Sequence, residues 1–185
     1  KNRMTDGTVV ALSRSSTHTF RKDRKEELQF TEGHGIEGDA HAGKKVKHRS
    51  RVKKDPNAPN LRQVHLIHEE LFHFLSSEYN ISVQPGFMGE NVTTAGIDLL
   101  ELPTGAILKL GNEVTIQVTG LRNPCNQLNS IDPTLMSRVL QKQDDGSIIR
   151  LAGIMAIVLK GGKVQVNDYV SVELPEGPHN PLKPV

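Results

Sequence analysis

The sequence predicts a mainly β protein, a closed or nearly closed β-barrel with a few short helices. Its 185 residues are 36% hydrophobic but only 4% aromatic, with no tryptophan. Val, Ile and Leu must therefore build most of the core, and branched side chains favour strands. Short apolar runs recur with turn residues between them, which is typical of barrels. No run of 18 apolar residues is present, so no membrane span is expected.

Alternating apolar residues place the individual strands. They are expected at residues 8–12, 28–30, 64–67, 92–94, 107–110, 114–118, 154–159 and 164–172. Gly111-Asn112 predicts a hairpin over 107–118, and Gly161-Gly162 predicts another over 154–172. A helix is expected at 69–79, stopped by Asn80, and a second from Asp132-Pro133 to about Gln141. The charged residues 21–27 are expected to be exposed.

The chain is predicted to form a single domain, residues 8–174, with a proline-rich tail at 175–185 that is ordered only where it packs on the body. Residues 44–60 are expected to form a basic, mobile surface loop. Without its seven lysines and arginines at 44–54, the 23 basic residues fall to 16 against 21 acidic ones. The pI of 8.7 is therefore a local property of the loop, and nucleic-acid binding is not expected. No aromatic residue is interleaved there for base stacking.

Cys125 is the only cysteine of the sequence. An internal disulfide is excluded, and a reducing cytoplasm is the simplest compartment. Asn123 and Pro124 could cap and open a short helical turn, whose N-terminal amides would favour a thiolate beside the positive charge of Arg122. Without a second cysteine, a functional thiol must ligate a metal, carry a persulfide, act as a nucleophile or exchange with another molecule. A buried, inert cysteine is the alternative.

Three other motifs are weaker. Residues 33–38 match the dinucleotide fingerprint G-x-G-x-x-G, but no helical pattern follows, so a nucleotide site is not expected. His68 and His73 are five apart and diverge by roughly 140° around a helix, so they cannot share a metal. Asp39 and His41 lie between glycines in residues 38–43, where they either contact a polar ligand or are a turn aspartate and a surface histidine.

Taken together, four stretches resemble a MOSC domain, the C-terminal domain of molybdenum cofactor sulfurases that also occurs as a stand-alone bacterial protein. The stretches are Gly35-Ile36-Glu37-Gly38-Asp39-Ala40-His41-Ala42-Gly43, Arg62-Gln63-Val64, Gly86-Phe87-Met88-Gly89-Glu90-Asn91-Val92-Thr93 and Arg122-Asn123-Pro124-Cys125. The resemblance implies a mostly β fold with a pyruvate-kinase-like barrel core. This sequence departs from the family pattern at Ala40, where many relatives have arginine or another polar residue. Its basic loop at residues 44–60 is also longer than the common family pattern.

The resemblance also implies the site. Cys125 matches the reactive cysteine, which takes up sulfur as a persulfide or ligates molybdenum, and Arg122 stabilises the anionic sulfur. The cofactor-binding positions implied are Gly38, Asp39, His41, Arg62, Gly89, Glu90 and Asn91. We expect Asp39, His41, Glu90 and Arg122 to converge on the Cys125 sulfur.

The expected function is sulfur carriage or molybdenum cofactor handling. The implied partners are a cysteine desulfurase as sulfur donor, which would hold the pyridoxal phosphate, and a molybdoenzyme or pterin cofactor as acceptor. Two alternatives stay open. One is a molybdenum-dependent reductase of N-hydroxylated compounds, and the other is a non-enzymatic barrel that binds a polyanion through residues 44–54.

Overall fold

The computed structural model describes residues 6–17, 19–43 and 59–185. These residues form strands and two α-helices, α1 (Glu69–Tyr79) and α2 (Leu135–Val139), with 3-10 turns at Leu99–Glu101 and Asn126–Ser130. The strands are β1 (Gly7–Arg14), β2 (Asp23–Lys25), β3 (Glu27–Thr31), β4 (Gly35–Ile36), β5 (Val64–His68), β6 (Val92–Ala95), β7 (Ile107–Leu110), β8 (Val114–Leu121), β9 (Leu140–Lys142), β10 (Ile148–Arg150), β11 (Ile154–Lys160), β12 (Gly162–Gln165) and β13 (Tyr169–Glu173).

Seven strands close into a barrel, which confirms the predicted fold class. Their order is β1-β13-β7-β8-β11-β5-β6, and β6 pairs again with β1. Strands β5 and β6 run parallel, with Leu66 opposite Val92, and the other neighbouring pairs of the barrel are antiparallel. Along β8 every second residue is buried, as the pleat of a half-buried strand requires. Closure leaves no unpaired barrel edge.

A second apolar core lies on the outside of the barrel and includes helix α1. Leu71, Phe72 and Leu75 on one face of the helix are buried together with Leu128 from the segment after Cys125. The helix has the predicted bounds, and Asn80 ends it in the left-handed conformation with φ 54°. This second core therefore fixes the cysteine segment against a rigid helix rather than leaving it as a free loop.

Three predicted elements are wrong, because strand pairing overrides the local pattern. The strand predicted over residues 164–172 is divided into β12 and β13, which pair with different strands. Strands β11 and β12 do not form a hairpin, because β11 pairs with β5 and β8, whereas β12 pairs with β3. Helix α2 stops at Val139 instead of continuing to Gln141, because Leu140–Lys142 pairs with Ile148–Arg150 around the Asp144-Asp145-Gly146 turn.

The proline-rich tail packs on the body beside β8. Leu182 is 9% exposed, and Pro184 bridges to Leu121, the last residue of β8. The Leu121 N–H donates to the Lys183 carbonyl at 2.8 Å. The tail thus supports the strand that leads directly into Arg122 and Cys125.

Most of the predicted basic loop, residues 44–58, lies outside the described part of the chain. At its far end, Asn60 is buried, unlike a surface-loop residue, and its Nδ2 donates to the carbonyls of His41 and Gly43 at 2.9 Å each. The two ends of the insertion are therefore joined beside His41. Within the described ranges, no helix has the length and apolar character needed to cross a membrane.

Candidate functional site

The thiol segment follows β8 and begins with Arg122, whose N–H donates to the Gly153 carbonyl at 3.0 Å. Cys125 is half-buried, and its Sγ donates to Gln127 Oε1 at 3.7 Å. A thiol in this position is fixed by its neighbours on both sides and keeps an exposed face.

The predicted cap of this segment is wrong. Cys125 itself is the N-cap of the 3-10 turn Asn126–Ser130, with no side-chain cap, and the turn is only five residues long. Asn123 lies two residues before this N-cap, and its Oδ1 accepts a hydrogen bond from Arg150 Nε at 3.0 Å. Pro124 is buried ahead of the turn. The positive group beside the sulfur is therefore Arg122 rather than a helix terminus.

The Arg122 guanidinium is buried, with 7% of the residue exposed. Burial lowers the pKa of Arg122, while the charges of Cys125 and Glu90 act in the opposite direction. Its Nη1 has no hydrogen-bond partner among the described residues. Since an arginine remains protonated in proteins, the site holds a cation with one buried donor unsatisfied beside the thiol.

Glu90 is the acidic partner of this cation, and it is completely buried. Burial raises the pKa of Glu90, and the N–H groups of Glu90 and Gly86 and the charge of Arg122 offset part of that effect. These amides face the carboxylate without good hydrogen-bond geometry, so neither oxygen has a full hydrogen bond within the described ranges. The carboxyl is therefore held beside Arg122 in a site that disfavours its charge.

Replacing Glu90 by glutamine is expected to stabilise the protein more at neutral than at acidic pH. Because its folded pKa is raised, the carboxyl contributes stability that is present below the ordinary value of 4.5 and is lost as pH rises through the folded value. Glutamine mimics the protonated acid at every pH. Urea unfolding of both proteins across pH should show a difference that grows with pH. Glu101→Gln, at an exposed carboxylate, is the control, and a difference that grows toward acid would contradict the expectation.

A buried ion pair joins Lys22 to Asp39 on the other side of Glu90. Lys22 Nζ is 3.1 Å from each oxygen of Asp39 and 2.9 Å from His41 Nδ1. The carboxylate also accepts the N–H groups of Ser15 and His41, both at 3.1 Å. Asp39 is thus a turn aspartate, since it accepts the N–H of His41 two residues on, and it is also the buried partner of Lys22. The His41 side chain is 50% exposed.

Direct contacts join Lys22 to Asp39 and His41. Arg122 is related to Glu90 and Cys125 by charge. The convergence of Asp39, His41, Glu90 and Arg122 on the Cys125 sulfur stays a prediction. The better-defined surface depressions of the described residues lie elsewhere, around Leu71 and Phe74 and around Glu113 and Asp168.

The other predicted binding residues have structural contacts. Asn91 is buried, and its side chain accepts the His65 N–H at 3.1 Å and donates to the Ser13 carbonyl at 3.2 Å, which joins β5 to β1. Gly38 and Gly89 turn the chain at positive φ against the Arg14 side chain and the Phe20 backbone. The Arg62 N–H donates to Asn60 Oδ1 at 2.9 Å. Their role in cofactor binding stays a prediction.

Two residues of the site were missed by the sequence reasoning. Lys22 lies in the charged run that was expected to be exposed, yet it is 4% exposed. His65 is buried, with Nε2 2.9 Å from the Ala152 carbonyl, and burial followed by the charge of Arg122 lowers its pKa. The signal for His65 was its place inside an apolar strand. Nothing local marks Lys22, because its neighbours Arg21 and Asp23 are also charged and are exposed.

The donor set restricts which metal could bind. No group of three or more His, Cys, Asp or Glu side chains in the described ranges could hold a metal ion. The described residues therefore do not support a metal site whose ligands all come from this chain. The residues fit a metal that arrives with its own ligands and takes one thiolate from Cys125, with the unsatisfied Nη1 of Arg122 available to an anionic group nearby.

Comparisons with known proteins agree with the fold. The structure superposes on the YuaD protein from Bacillus subtilis with a TM-score of 0.75 and 23% identity, covering 95% of this chain and 99% of that chain. It matches YiiM from Escherichia coli with a TM-score of 0.60 and 20% identity, covering 94% and 73%. Because both sequence identities are below 25%, these similarities show only that the folds are alike. No curated protein matches the sequence. A profile of the MOSC domain matches residues 39–171, so the chain belongs to the MOSC domain family.

Proposed function

We propose that this protein handles sulfur or the molybdenum cofactor through Cys125. The observation that carries the proposal is that the half-buried Cys125 thiol lies within electrostatic reach of the buried Arg122 guanidinium, whose Nη1 has no hydrogen-bond partner among the described residues. A cation placed in a low-dielectric site stabilises an anionic thiolate or persulfide more strongly than it would in water. Membership of the MOSC family supports the same assignment.

The sulfur-transfer step needs no oxidant. The Cys125 thiolate attacks the terminal sulfur of a persulfide on a cysteine desulfurase, where the pyridoxal phosphate would reside. A new S–S bond forms at Cys125, the S–S bond of the donor breaks, and the donor cysteine leaves as a thiolate. Arg122 lies beside the sulfur and holds the anion before and after transfer. The acceptor would be a molybdoenzyme or its pterin cofactor.

Molybdenum ligation uses the same residues. Cys125 would supply one thiolate ligand, and Arg122 would balance negative charge on the bound group. When bound, the cofactor would supply redox or oxygen-atom chemistry, while this chain orients it. A single free thiol needs a reducing compartment, so we place the protein in the cytoplasm.

Persulfide transfer is testable by intact mass. Wild-type protein incubated with a cysteine desulfurase and free cysteine should gain about 32 Da at Cys125, and the gain should disappear on reduction. Cys125→Ser should gain nothing, because it removes the only thiol of the sequence. Metal analysis of protein made in a host that produces the molybdenum cofactor completes the test.

The outcomes separate the candidate functions. Bound molybdenum without sulfur uptake indicates the cofactor-linked role, including the reductase of N-hydroxylated compounds. Absence of both the added mass and the metal would contradict the proposal. Salt-sensitive polyanion binding that is indifferent to Cys125→Ser would instead support the binding-module alternative.

A further inference from the structure

His65 is a buried histidine that the proposed mechanism does not use. It lies in β5 between Val64 and Leu66, and 4% of the residue is exposed. Its ring Nε2 is 2.9 Å from the Ala152 carbonyl oxygen. A carbonyl oxygen can only accept a hydrogen bond, so Nε2 carries a proton and donates in this contact. The ring therefore binds the backbone of the segment before β11 through a defined donor.

This contact lies where the strand ladder ends. Strand β11 begins at Ile154, and the two residues before it, Ala152 and Gly153, are buried but belong to no strand. Buried carbonyls need hydrogen-bond partners. The Ala152 carbonyl accepts from the His65 ring, and the Gly153 carbonyl accepts the Arg122 N–H at 3.0 Å. A side chain thus takes the place of strand pairing next to the residue that holds the Arg122 main chain.

The His65 ring is packed closely against Gly153. A Cβ added to Gly153 would lie 3.0 Å from His65 Nε2 and 2.2 Å from the Leu66 carbonyl oxygen. Interiors packed this closely transmit small shifts to their neighbours. Loss of the ring hydrogen bond is therefore expected to move the Gly153 carbonyl and, with it, the Arg122 N–H.

The main chain of His65 is bonded to the loop that carries Glu90. The His65 N–H donates to Asn91 Oδ1 at 3.1 Å, and the His65 carbonyl accepts the Asn91 N–H at 2.8 Å. Asn91 directly follows Glu90 in the sequence. His65 is therefore hydrogen-bonded both to the segment that holds Arg122 and to the residue beside Glu90.

We propose that His65 is a positioning residue of the thiol site: its Nε2–H fixes the Ala152-Gly153 backbone that holds Arg122 near Cys125, while its main chain holds Asn91 beside Glu90. This inference rests on the proposed role of Cys125. It assigns a task to the ring of a residue that strand pairing alone would leave as part of the core.

Two substitutions separate the donor from the bulk of the ring. His65→Gln keeps an amide N–H that can reach the Ala152 carbonyl, whereas His65→Leu has similar size and no donor. Both retain the main-chain hydrogen bonds to Asn91. His73→Leu is the matched control, because His73 is exposed on α1. Gly146→Ala, in an exposed turn, controls for lost stability.

The readout is the rate of Cys125 alkylation by anionic iodoacetate divided by the rate with neutral iodoacetamide, at one neutral pH. Both reagents need the same thiolate and the same access, so their ratio reports the positive charge near the sulfur. Cys125 is the only thiol of the sequence, so the signal needs no assignment. Unfolding curves and the ¹⁵N shifts of the His65 ring, assigned by comparison with His65→Gln, complete the measurement.

In His65→Leu the ratio is expected to fall by about threefold or more, because Arg122 is displaced and the anionic reagent loses its attraction. His65→Gln, His73→Leu and Gly146→Ala should each stay within about twofold of wild type. The wild-type ring should carry a proton on Nε2. If His65→Leu does not fold, His65→Gln decides, since a wild-type ratio supports the inference and a lowered ratio contradicts it.

Three results would overturn the inference: an unprotonated Nε2 in the wild type, an unchanged ratio in His65→Leu, or an equal fall in Gly146→Ala. The last result would mean that lost stability alone controls the thiol. Alkylation requires no sulfur donor. Failure of persulfide transfer and metal binding, together with a ratio that depends on His65, therefore contradicts the proposed function and leaves the positioning of Arg122 by His65 standing.

Discussion

Replacing Arg122 by methionine is expected to slow alkylation of Cys125 by about tenfold or more, because the thiolate loses the cation beside it. Arg122 is a buried cation whose charge interacts with that of Cys125. The fold should tolerate the change, since Glu90 can take up a proton: burial already raises its pKa, and loss of Arg122 raises it further. Iodoacetamide kinetics on native protein, with unfolding curves in parallel, give the measurement.

Arg150 provides the matched control for this experiment. Its Nε donates to Asn123 Oδ1 in the same segment, so Arg150→Met disturbs the geometry of the segment without removing the charge beside the sulfur. Alkylation in Arg150→Met should stay within about threefold of wild type. Equal slowing in both variants would mean that segment geometry, and not the Arg122 charge, controls the thiol.

Gly153→Ala is expected to lower the free energy of unfolding by about 3–5 kcal/mol. Gly153 has φ +93°, and an added Cβ would lie 2.2 Å from the Leu66 carbonyl oxygen and 3.0 Å from His65 Nε2. Both neighbours belong to β5, a barrel strand paired on two sides, so they cannot move away cheaply. The Gly153 carbonyl also accepts the Arg122 N–H, so the change should disturb the thiol site as well.

Gly146→Ala separates backbone strain from crowding. Gly146 has nearly the same φ, +87°, but nothing lies within 4 Å of an added Cβ. This variant should lose only about 1–2 kcal/mol, the cost of the left-handed conformation itself. Urea unfolding of the two variants gives the comparison, and equal losses would contradict the claim that the β5 contacts make Gly153 necessary.

Local patterns predicted the elements whose partners are close in the chain. Helix α1 was placed correctly because its apolar face and its stop residue, Asn80, are encoded within twelve residues. The hairpin of β7 and β8 was placed correctly because the Gly111-Asn112 turn and the alternation of both strands are adjacent in sequence. The prediction of a hairpin at Gly161-Gly162 was wrong, because β12 pairs with β3, which lies more than 130 residues earlier in the sequence. No local signal specifies that partner.

The sequence by itself determined the barrel class, the family resemblance and the single thiol at Cys125, since these depend on composition, motif order and residue type. Only the tertiary structure decided which charged residues are buried. Lys22 is chemically like the exposed Lys25 three residues later, and burial against Asp39 alone distinguishes them. The physical reason is that burial and pairing, which set the energy of a charge, are properties of distant residues brought together by barrel closure.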